Sequence, residues 1–199
     1  MPGCYRAAAE PETELPLKDR FSTGLLEDLY ENTAYMYYET YASTHQDKAA
    51  GKDVLTLLPS QATAEQPLTA EMVDGKEAVR WQEKTAYLEW EFTIQTAGLY
   101  MLSLDYCFDG TNKSDGQRRL LLDGEQPFME ASNLPFRHLW KDNDDIQVNT
   151  IGDEVRPSYT ELLQWQTLCF QDSQGFYDAP YALYLTAGIH TVRLEYVSV

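Results

Sequence analysis

Residues 88–106, which read LEWEFTIQTAGLYMLSLDY, hold the alternation that decides the fold. In the first half of this segment every second residue is apolar, namely Leu88, Trp90, Phe92 and Ile94. Such alternation is typical of an antiparallel strand that packs one face on a core and leaves the other in water. Thr-Ala-Gly at 96–98 interrupts the pattern, which then resumes. The segment therefore predicts two strands joined by a short turn.

A second copy of this phrase lies near the end of the chain. IQTAGLYMLSLDY at 94–106 is echoed by YLTAGIHTVRLEY at 184–196, and each copy runs from a strand through Thr-Ala-Gly to alternating residues that end on an acid and a tyrosine. Two copies indicate equivalent corners of a two-sheet β-sandwich. The side chains predicted to face the core are Leu88, Trp90, Phe92, Ile94, Leu102, Leu104, Val192 and Leu194.

Turn signals separate the other apolar runs. Asp74-Gly75 and Asp123-Gly124 are favoured in tight turns, because glycine reaches positive φ without a steric clash. Strands punctuated by turns, with few helical signals, predict an all-β protein. We expect a jelly-roll β-sandwich of two antiparallel sheets, with long loops and a short N-terminal helical arm.

The predicted organisation has three parts. Residues 1–18 read as a disordered leader, and residues 19–34 read as a short helical arm with leucines at helical spacing. Residues 35–199 form the β-sandwich domain. The tyrosine cluster at 35–41 opens that domain and is expected to form a strand.

The composition is strongly acidic, with 32 Asp and Glu against 15 Lys and Arg and a formal net charge of −17. Such a surface repels phosphate backbones and anionic lipid headgroups, which argues against nucleic acid and an anionic membrane face as partners. The remaining classes of partner are sugars, cations such as calcium, and basic proteins. The alternative is that the acidity only keeps a secreted protein in solution. No apolar run approaches the ~20 residues that a membrane-spanning helix needs.

Sequence motifs for catalysis are missing: there is no nucleophile elbow, phosphate loop, dinucleotide fingerprint or zinc-protease helix. The histidines are scattered; His190 is expected in the core or at its rim, and His138 in a surface contact. Cys107 and Cys169 are expected to be buried free thiols, with a disulfide between them as the alternative. We therefore expect a protein that is not an enzyme.

Aromatic residues in irregular segments are the more informative signal. Sugar rings stack their C–H faces on Trp and Tyr, while charged and amide side chains bind the hydroxyls. Such residues are dense in 136–178, which is longer than strand connection requires, and 109–116 is a second polar loop. We expect Trp140 and Tyr177 to stack on a sugar, and Asp142, Arg156 and Asp178 to orient it. The alternative is that these rings pin the long loops to the sandwich.

The first residues resemble part of a targeting signal, although the hydrophobic segment of a signal peptide is missing. MPGCYRAAAEPETELPLK resembles the end of a bacterial lipoprotein signal, in which small residues precede a cysteine and a polar stretch follows it. Cys4 is then the lipidated residue. The alternative is a chance cysteine in a disordered tail.

The phrases LEWEFTIQTAGLYMLSLDY, RRLLLDGEQPF, LWKD, EVRPSYTELLQWQ, DSQGFY and YLTAGIHTVRLEY together resemble a known module. It lies near the N-terminus of large extracellular solute-binding lipoproteins of sugar-type ABC transporters, mainly in Gram-positive bacteria. Its layout is similar to galactose-binding-like jelly rolls of carbohydrate-binding modules. The resemblance covers roughly residues 35–199.

The resemblance also implies a structural calcium ion near the first and last strands. A glutamate from the first strand is a usual ligand, and Glu39 in YYETY stands in a comparable place. Tyr41 stands where a second acidic ligand would be expected, which departs from the pattern. The chain stops at EYVSV, one strand earlier than such modules usually do, which suggests a fragment or a divergent short relative.

From these patterns we expect a non-catalytic, carbohydrate-binding-like accessory module at the cell surface. Its partners would be a glycan or oligosaccharide and the solute-binding domain of a sugar transporter. Lipidation of Cys4 would anchor it outside the cell. The alternative is a structural or protein-interaction β-sandwich that binds no sugar.

Overall fold

A computed structural model describes residues 36–81 and 85–198. The predicted leader, the helical arm and Cys4 lie outside the described residues. No helix in the described ranges has both the length and the apolar character needed to cross a membrane. The elements in chain order are α1 (Tyr38–Thr44), β1 (Ala70–Val73), β2 (Lys76–Val79), β3 (Tyr87–Ile94), β4 (Gly98–Met101), β5 (Ser103–Tyr106), β6 (Gly116–Leu122), β7 (Leu134–Phe136), β8 (Trp140–Asp142), β9 (Gln147–Val148), β10 (Glu154–Val155), β11 (Tyr159–Glu161), β12 (Gln166–Cys169), β13 (Ala182–Leu185) and β14 (Gly188–Ser198), with 3-10 helices at Pro59–Gln61 and Met129–Ser132.

The long strand β14 organises the largest sheet, whose strand order is β3-β14-β6-β7. Across from it, β4 pairs with β13 and β5 pairs with β12. Smaller two-stranded ladders join β1 to β2, β8 to β11 and β9 to β10. All of these pairings are antiparallel, which confirms the predicted fold class of an all-β sandwich with antiparallel sheets.

The two Thr-Ala-Gly phrases form neighbouring corners of the sandwich, as predicted. β3 ends at Ile94 beside Gly188, the start of β14, and β4 begins at Gly98 beside Leu185, the end of β13. The chain therefore leaves the large sheet at the first corner and returns to it at the second. Gly98 is required at its corner, because a Cβ there would lie 2.7 Å from the backbone of Gly51.

The predicted core is mostly confirmed. Six of the eight side chains are at most 9% exposed: Leu88, Trp90, Phe92, Ile94, Val192 and Leu194. The other two, Leu102 and Leu104, are only partly buried against that core. The reason is that the expected second strand breaks at Leu102, and its two halves, β4 and β5, pair with different partners.

The expectation of a strand at 35–41 is wrong, because residues 38–44 form the helix α1. Tyr38 and Tyr41 are three residues apart, so a helix places both rings on one face, where each is 8% exposed. Their hydroxyl oxygens accept backbone N–H groups of β13, from Ala182 and Tyr184, each at 2.9 Å. The helix therefore buries its tyrosines and covers the outer edge of a strand.

The predicted Asp-Gly turns are confirmed by their backbone angles. Asp123 and Gly124 have φ of 52° and 84°, the left-handed pair that a type I′ turn requires. Leu122 and Glu125 exchange backbone hydrogen bonds of 2.8 and 3.0 Å across this turn. Asp74-Gly75 has the same pair of positive φ angles between β1 and β2.

The expectation for the cysteines is correct in one respect and wrong in another. Cys107 and Cys169 are both free thiols, but Cys107 is half-buried and Cys169 is exposed. Burial raises the pKa of the Cys107 thiol, with the carboxylates of Asp74 and Asp109 adding to the effect. Cys169 points outward because its neighbour Leu168 takes the inward position in the alternation of β12.

His190 is buried in β14, as predicted, and fixes the Asp123 turn to that strand. Its Nδ1 lies 2.7 Å from the carboxylate of Asp123, and its Nε2 lies 2.9 Å from the backbone carbonyl of Thr186. Burial by itself lowers the pKa of His190, but these two acceptors outweigh it and the net shift is upward from the ordinary value of 6.5. The protonated ring is therefore the form that the fold favours.

Stability should depend on the protonation of His190. Because the pKa of His190 is raised in the folded state, the protonated ring contributes fully to the free energy of unfolding below about pH 6.5. This contribution is lost as the pH rises through the folded-state pKa. We expect His190→Gln to lower the free energy of unfolding more at pH 5.5 than at pH 8, measured by urea denaturation. Asp123→Asn, which keeps the shape of the turn, should remove most of this pH dependence. An equal loss at both pH values would contradict the assignment.

Trp90 should be a large contributor to stability. Its side chain is 7% exposed, and its indole N–H donates to the Leu58 carbonyl at 3.0 Å. Truncation to Ala should cost about 3–5 kcal/mol in chemical denaturation, the range for large aromatic residues in packed cores. The control Met72→Ala, at a side chain that is 68% exposed, should change stability by less than about 0.5 kcal/mol. An unchanged melting temperature for Trp90→Ala would mean that the register of β3 is wrong.

Candidate functional site

The segment expected to be one long loop, residues 136–178, contains a two-stranded β-ribbon at 140–161. β8 pairs with β11, and further out β9 pairs with β10. Both faces of these short strands are largely exposed, so no buried face imposes an alternation of apolar and polar residues on the sequence. Trp140 and Asp142 therefore lie on a strand, which corrects their predicted position in a loop.

One face of the ribbon carries an exposed aromatic pair. Asp142 lies opposite Tyr159, and Trp140 lies opposite Glu161, so all four side chains leave the ribbon on the same side. The rings of Trp140 and Tyr159 are 5.3 Å apart and perpendicular. They are 39% and 57% exposed. We call these two rings the aromatic platform.

A shallow, open groove of about 270 Å³ adjoins the platform and brings two predicted site residues together. It is lined by Asp142, Arg156, Glu154, Ile146 and Pro157. The guanidinium carbon of Arg156 lies 5.9 Å from the centre of the Tyr159 ring. Within residues 36–81 and 85–198, neither Asp142 nor Arg156 makes an ion pair within 4.0 Å, so both are available to a ligand.

His138 lies beneath this face, and its predicted surface position is wrong. Its side chain is fully buried, and its ring stacks on Phe108 at 3.4 Å between centres. Nε2 lies 2.9 Å from the Ser114 carbonyl, and Nδ1 contacts the Glu161 carboxylate. Both partners are hydrogen-bond acceptors, and together they fix the orientation of the buried ring.

The same contacts join the loop 109–116 to the ribbon, which brings the two predicted binding segments together. Lys113 forms an ion pair with Glu161, and its Nζ lies 5.6 Å from the centre of the Trp140 ring. The Lys113 ammonium lowers the pKa of Glu161, burial opposes the shift, and His138 adds to it. Asp115 in the loop accepts the backbone N–H of His138 at 2.9 Å. The base of the platform is therefore held by a connected polar network.

The structure places Tyr177 and Asp178 apart from this network. The Tyr177 ring is half-buried and packs edge-on against Tyr38 of α1, with centres 5.2 Å apart. Its loop is shaped by Asp172, whose carboxylate accepts the N–H groups of Gln174 and Tyr177 at 3.1 and 3.3 Å. Asp178 is exposed. In the described part of the chain, no hydrogen bond or ring contact joins Tyr177 or Asp178 to the platform.

Glu39 is an exposed residue in the first turn of α1 rather than a strand residue. Calcium prefers six to eight oxygen ligands, among them several carboxylates. Among the described residues, no three His, Cys, Asp or Glu side chains come together in a way that could hold a metal ion. The surroundings of Glu39 therefore do not fit the implied cage, and the calcium site stays a prediction.

The sequence interpretation missed Tyr159, Glu154 and Lys113. A signal for the first two exists in NTIGD at 149–153, since Gly152 with a φ of 91° marks a turn at the end of the ribbon. Folding the chain back at that turn brings residue 159 near residue 142, and a one-residue shift in register between the two ladders places them opposite each other. Lys113 had no local signal, because its contact with Glu161 spans 48 residues.

No protein-family model matches the chain, and no curated protein matches it. Among solved structures, the chain is similar to the native structure of a family 35 carbohydrate-binding module from Clostridium thermocellum. The identity is 13%, the match covers 72% of this chain and 86% of that chain, and the TM-score is 0.41. A likeness at this level carries no argument about the ligand.

Two adjacent aromatic residues, Tyr177 and Phe176, allow a ring that packs against the domain to be compared with one that is exposed to solvent. Tyr177 packs on Tyr38, whereas the side chain of its neighbour Phe176 is 81% exposed. We expect Tyr177→Ala to lower the melting temperature clearly and Phe176→Ala to leave it nearly unchanged, measured by thermal unfolding. If the two substitutions have equal effects, Tyr177 does not anchor its loop and its predicted role in stacking on a ligand regains support.

Proposed function

We propose that this domain is a non-catalytic carbohydrate-binding module whose contact surface is the aromatic platform with the adjoining groove. The observation that supports this most strongly is the exposure of Trp140 and Tyr159 side by side on one face. Beside them lie Asp142 and Arg156, neither of which makes an ion pair with another described residue. Two large rings exposed side by side form an apolar patch of the kind that marks a binding surface.

Each part of this surface has a role toward a sugar. Because the two rings are perpendicular, they form an L-shaped seat that can contact two sides of one pyranose ring. Asp142 can accept hydrogen bonds from hydroxyl groups, and the Arg156 guanidinium can donate to hydroxyl oxygens. Apolar contact would supply most of the affinity, and the charged groups would fix the orientation of the sugar.

The polar network beneath the platform supports this proposal because it limits the motion of the platform before a sugar binds. Trp140 rests near the buried His138 ring, with centres 5.9 Å apart, and Glu161 holds His138 and Lys113 together. Rings that are already held lose less conformational entropy on binding. A platform of two rings desolvates few atoms, so we expect dissociation constants on the order of 1 mM to 1 μM.

A binding role is favoured over catalysis by the openness of the surface. Acid–base catalysis of glycoside hydrolysis needs a carboxylic acid whose pKa is raised by an apolar pocket, and a site that excludes water. The groove beside Asp142 and Glu154 is shallow and open to solvent. This geometry gives neither carboxylate such a pocket.

The wider context of the module is also part of the proposal. The resemblance of residues 35–199 to a module of solute-binding lipoproteins supports an extracellular location and association with the binding protein of a sugar ABC transporter. The lipoprotein-like leader supports a lipid anchor at Cys4. In this role the domain would hold glycans near the transporter.

The test is retention on immobilised glycans, preceded by a glycan array that selects the polysaccharide. We expect Trp140→Ala and Tyr159→Ala each to abolish retention, because each removes one wall of the seat, while thermal unfolding stays nearly unchanged. Trp140→Phe should keep part of the binding. The control is Phe176→Ala, which removes an aromatic ring outside the ribbon that is even more exposed, at 81%.

Two outcomes would refute the sugar-binding proposal. One is a wild-type protein that binds no glycan on the array. The other is a Trp140→Ala variant that binds as well as the wild type.

A further inference from the structure

The outer end of the ribbon, residues 147–155, is a rigid hairpin tip. Asn149 organises it: the side-chain oxygen accepts the N–H groups of Ile151 and Asp153 at 3.0 and 2.9 Å. The backbone N–H of Asn149 also donates to the Asp153 carbonyl at 2.9 Å. These hydrogen bonds restrain the turn, which lowers the ordering entropy that binding through the tip would cost.

This tip displays aliphatic side chains to solvent. Val148 is 65% exposed, Ile151 is 80% exposed and Val155 is 47% exposed. Val148 pairs with Glu154, whereas Val155 pairs with Gln147, so the two valines point to opposite faces of the ribbon. Ile151 lies at the end between them. The tip is therefore apolar on both faces and at its end. A cleft on a partner can contact all of these surfaces at once, whereas a flat partner surface cannot.

The charge around the tip selects the kind of partner. Four acidic residues lie close to the aliphatic residues in sequence, namely Asp144, Asp145, Asp153 and Glu154, and all four are exposed. None of them forms an ion pair within 4.0 Å in the described ranges of the chain. A partner with Lys and Arg at the rim of its cleft would complement them. A second copy of this chain, with its own formal charge of −17, would be repelled.

We propose that the hairpin tip is a docking element for a basic protein partner, which receives Val148, Ile151 and Val155 in an apolar cleft and pairs its rim with these carboxylates. The inference does not require that the domain binds sugar: Val148, Ile151 and Val155 lie outside the aromatic platform and its groove, and only Glu154 belongs to both surfaces. Each aliphatic side chain that is fully desolvated in the complex strengthens binding by about tenfold or more.

The experiment uses the full chain in the cells that make it, with the photo-cross-linker p-benzoylphenylalanine in place of Ile151. The control position is Ile189, which is 68% exposed on β14. We expect an adduct with one protein from position 151 and none from position 189. That protein is then purified, and its affinity for the chain is measured by titration calorimetry.

Two variants then test the chemistry of the contact. Ile151→Ser and the charge reversal Asp144→Lys/Asp145→Lys should each weaken the purified complex by about tenfold or more. The matched controls, Ile189→Ser and Glu65→Lys/Glu91→Lys, should change the affinity by less than about twofold. The second control alters the net charge of the protein by the same amount at exposed sites outside the ribbon.

Several results would overturn the proposal. An adduct that joins two copies of this chain would identify the tip as a self-association surface, and the absence of any protein adduct would leave no partner for it. Equal adducts from positions 151 and 189 would indicate non-specific contact. A partner whose affinity is unchanged by the charge reversal at Asp144 and Asp145 would refute the basic rim.

Discussion

Backbone hydrogen bonding on both sides of β14 is the constraint on which the rest of the structure depends. β14 pairs with β3 on one side and with β6 on the other, so its register fixes the register of both neighbours. The pairing with β3 sets the two Thr-Ala-Gly corners side by side, and these corners carry the chain into the facing ladder. The pairing with β6 positions the Asp123 turn, which His190 then holds.

The site depends on a different kind of support. The ribbon at 140–161 has no buried face, so the hydrophobic effect cannot hold it as it holds β3 and β14. Its inner end is fixed instead by His138, Glu161 and Lys113, which link it to the loop 109–116. A buried polar network of this kind is directional, and it fixes the end of the ribbon on which Trp140 lies.

The sequence predicts those features that a buried face imposes on neighbouring residues. Trp90 and Val192 could be assigned to the core because alternation records burial directly. Asp123-Gly124 could be assigned to a turn because only a few residues tolerate its φ angles. Residue type and position are enough to predict Trp140 as a candidate site residue, but not Tyr159, because the pairing that brings Tyr159 to Trp140 links residues distant in the sequence. Tyr177 was misplaced for a related reason: only tertiary contacts decide that it packs on α1 while Phe176 faces solvent.

The edges of the β4–β13 ladder are both closed by segments that are not strands of the sandwich. On the β4 side, Leu99 exchanges backbone hydrogen bonds with Ala49 and Gly51 at 2.9 and 2.8 Å. On the β13 side, two tyrosine hydroxyls of α1 accept the outward N–H groups. The seven-residue helix α1 therefore covers a sheet edge that could otherwise pair with a strand of another chain. A protease cut that released α1 would leave the β13 edge open as a template on which another chain could add a strand.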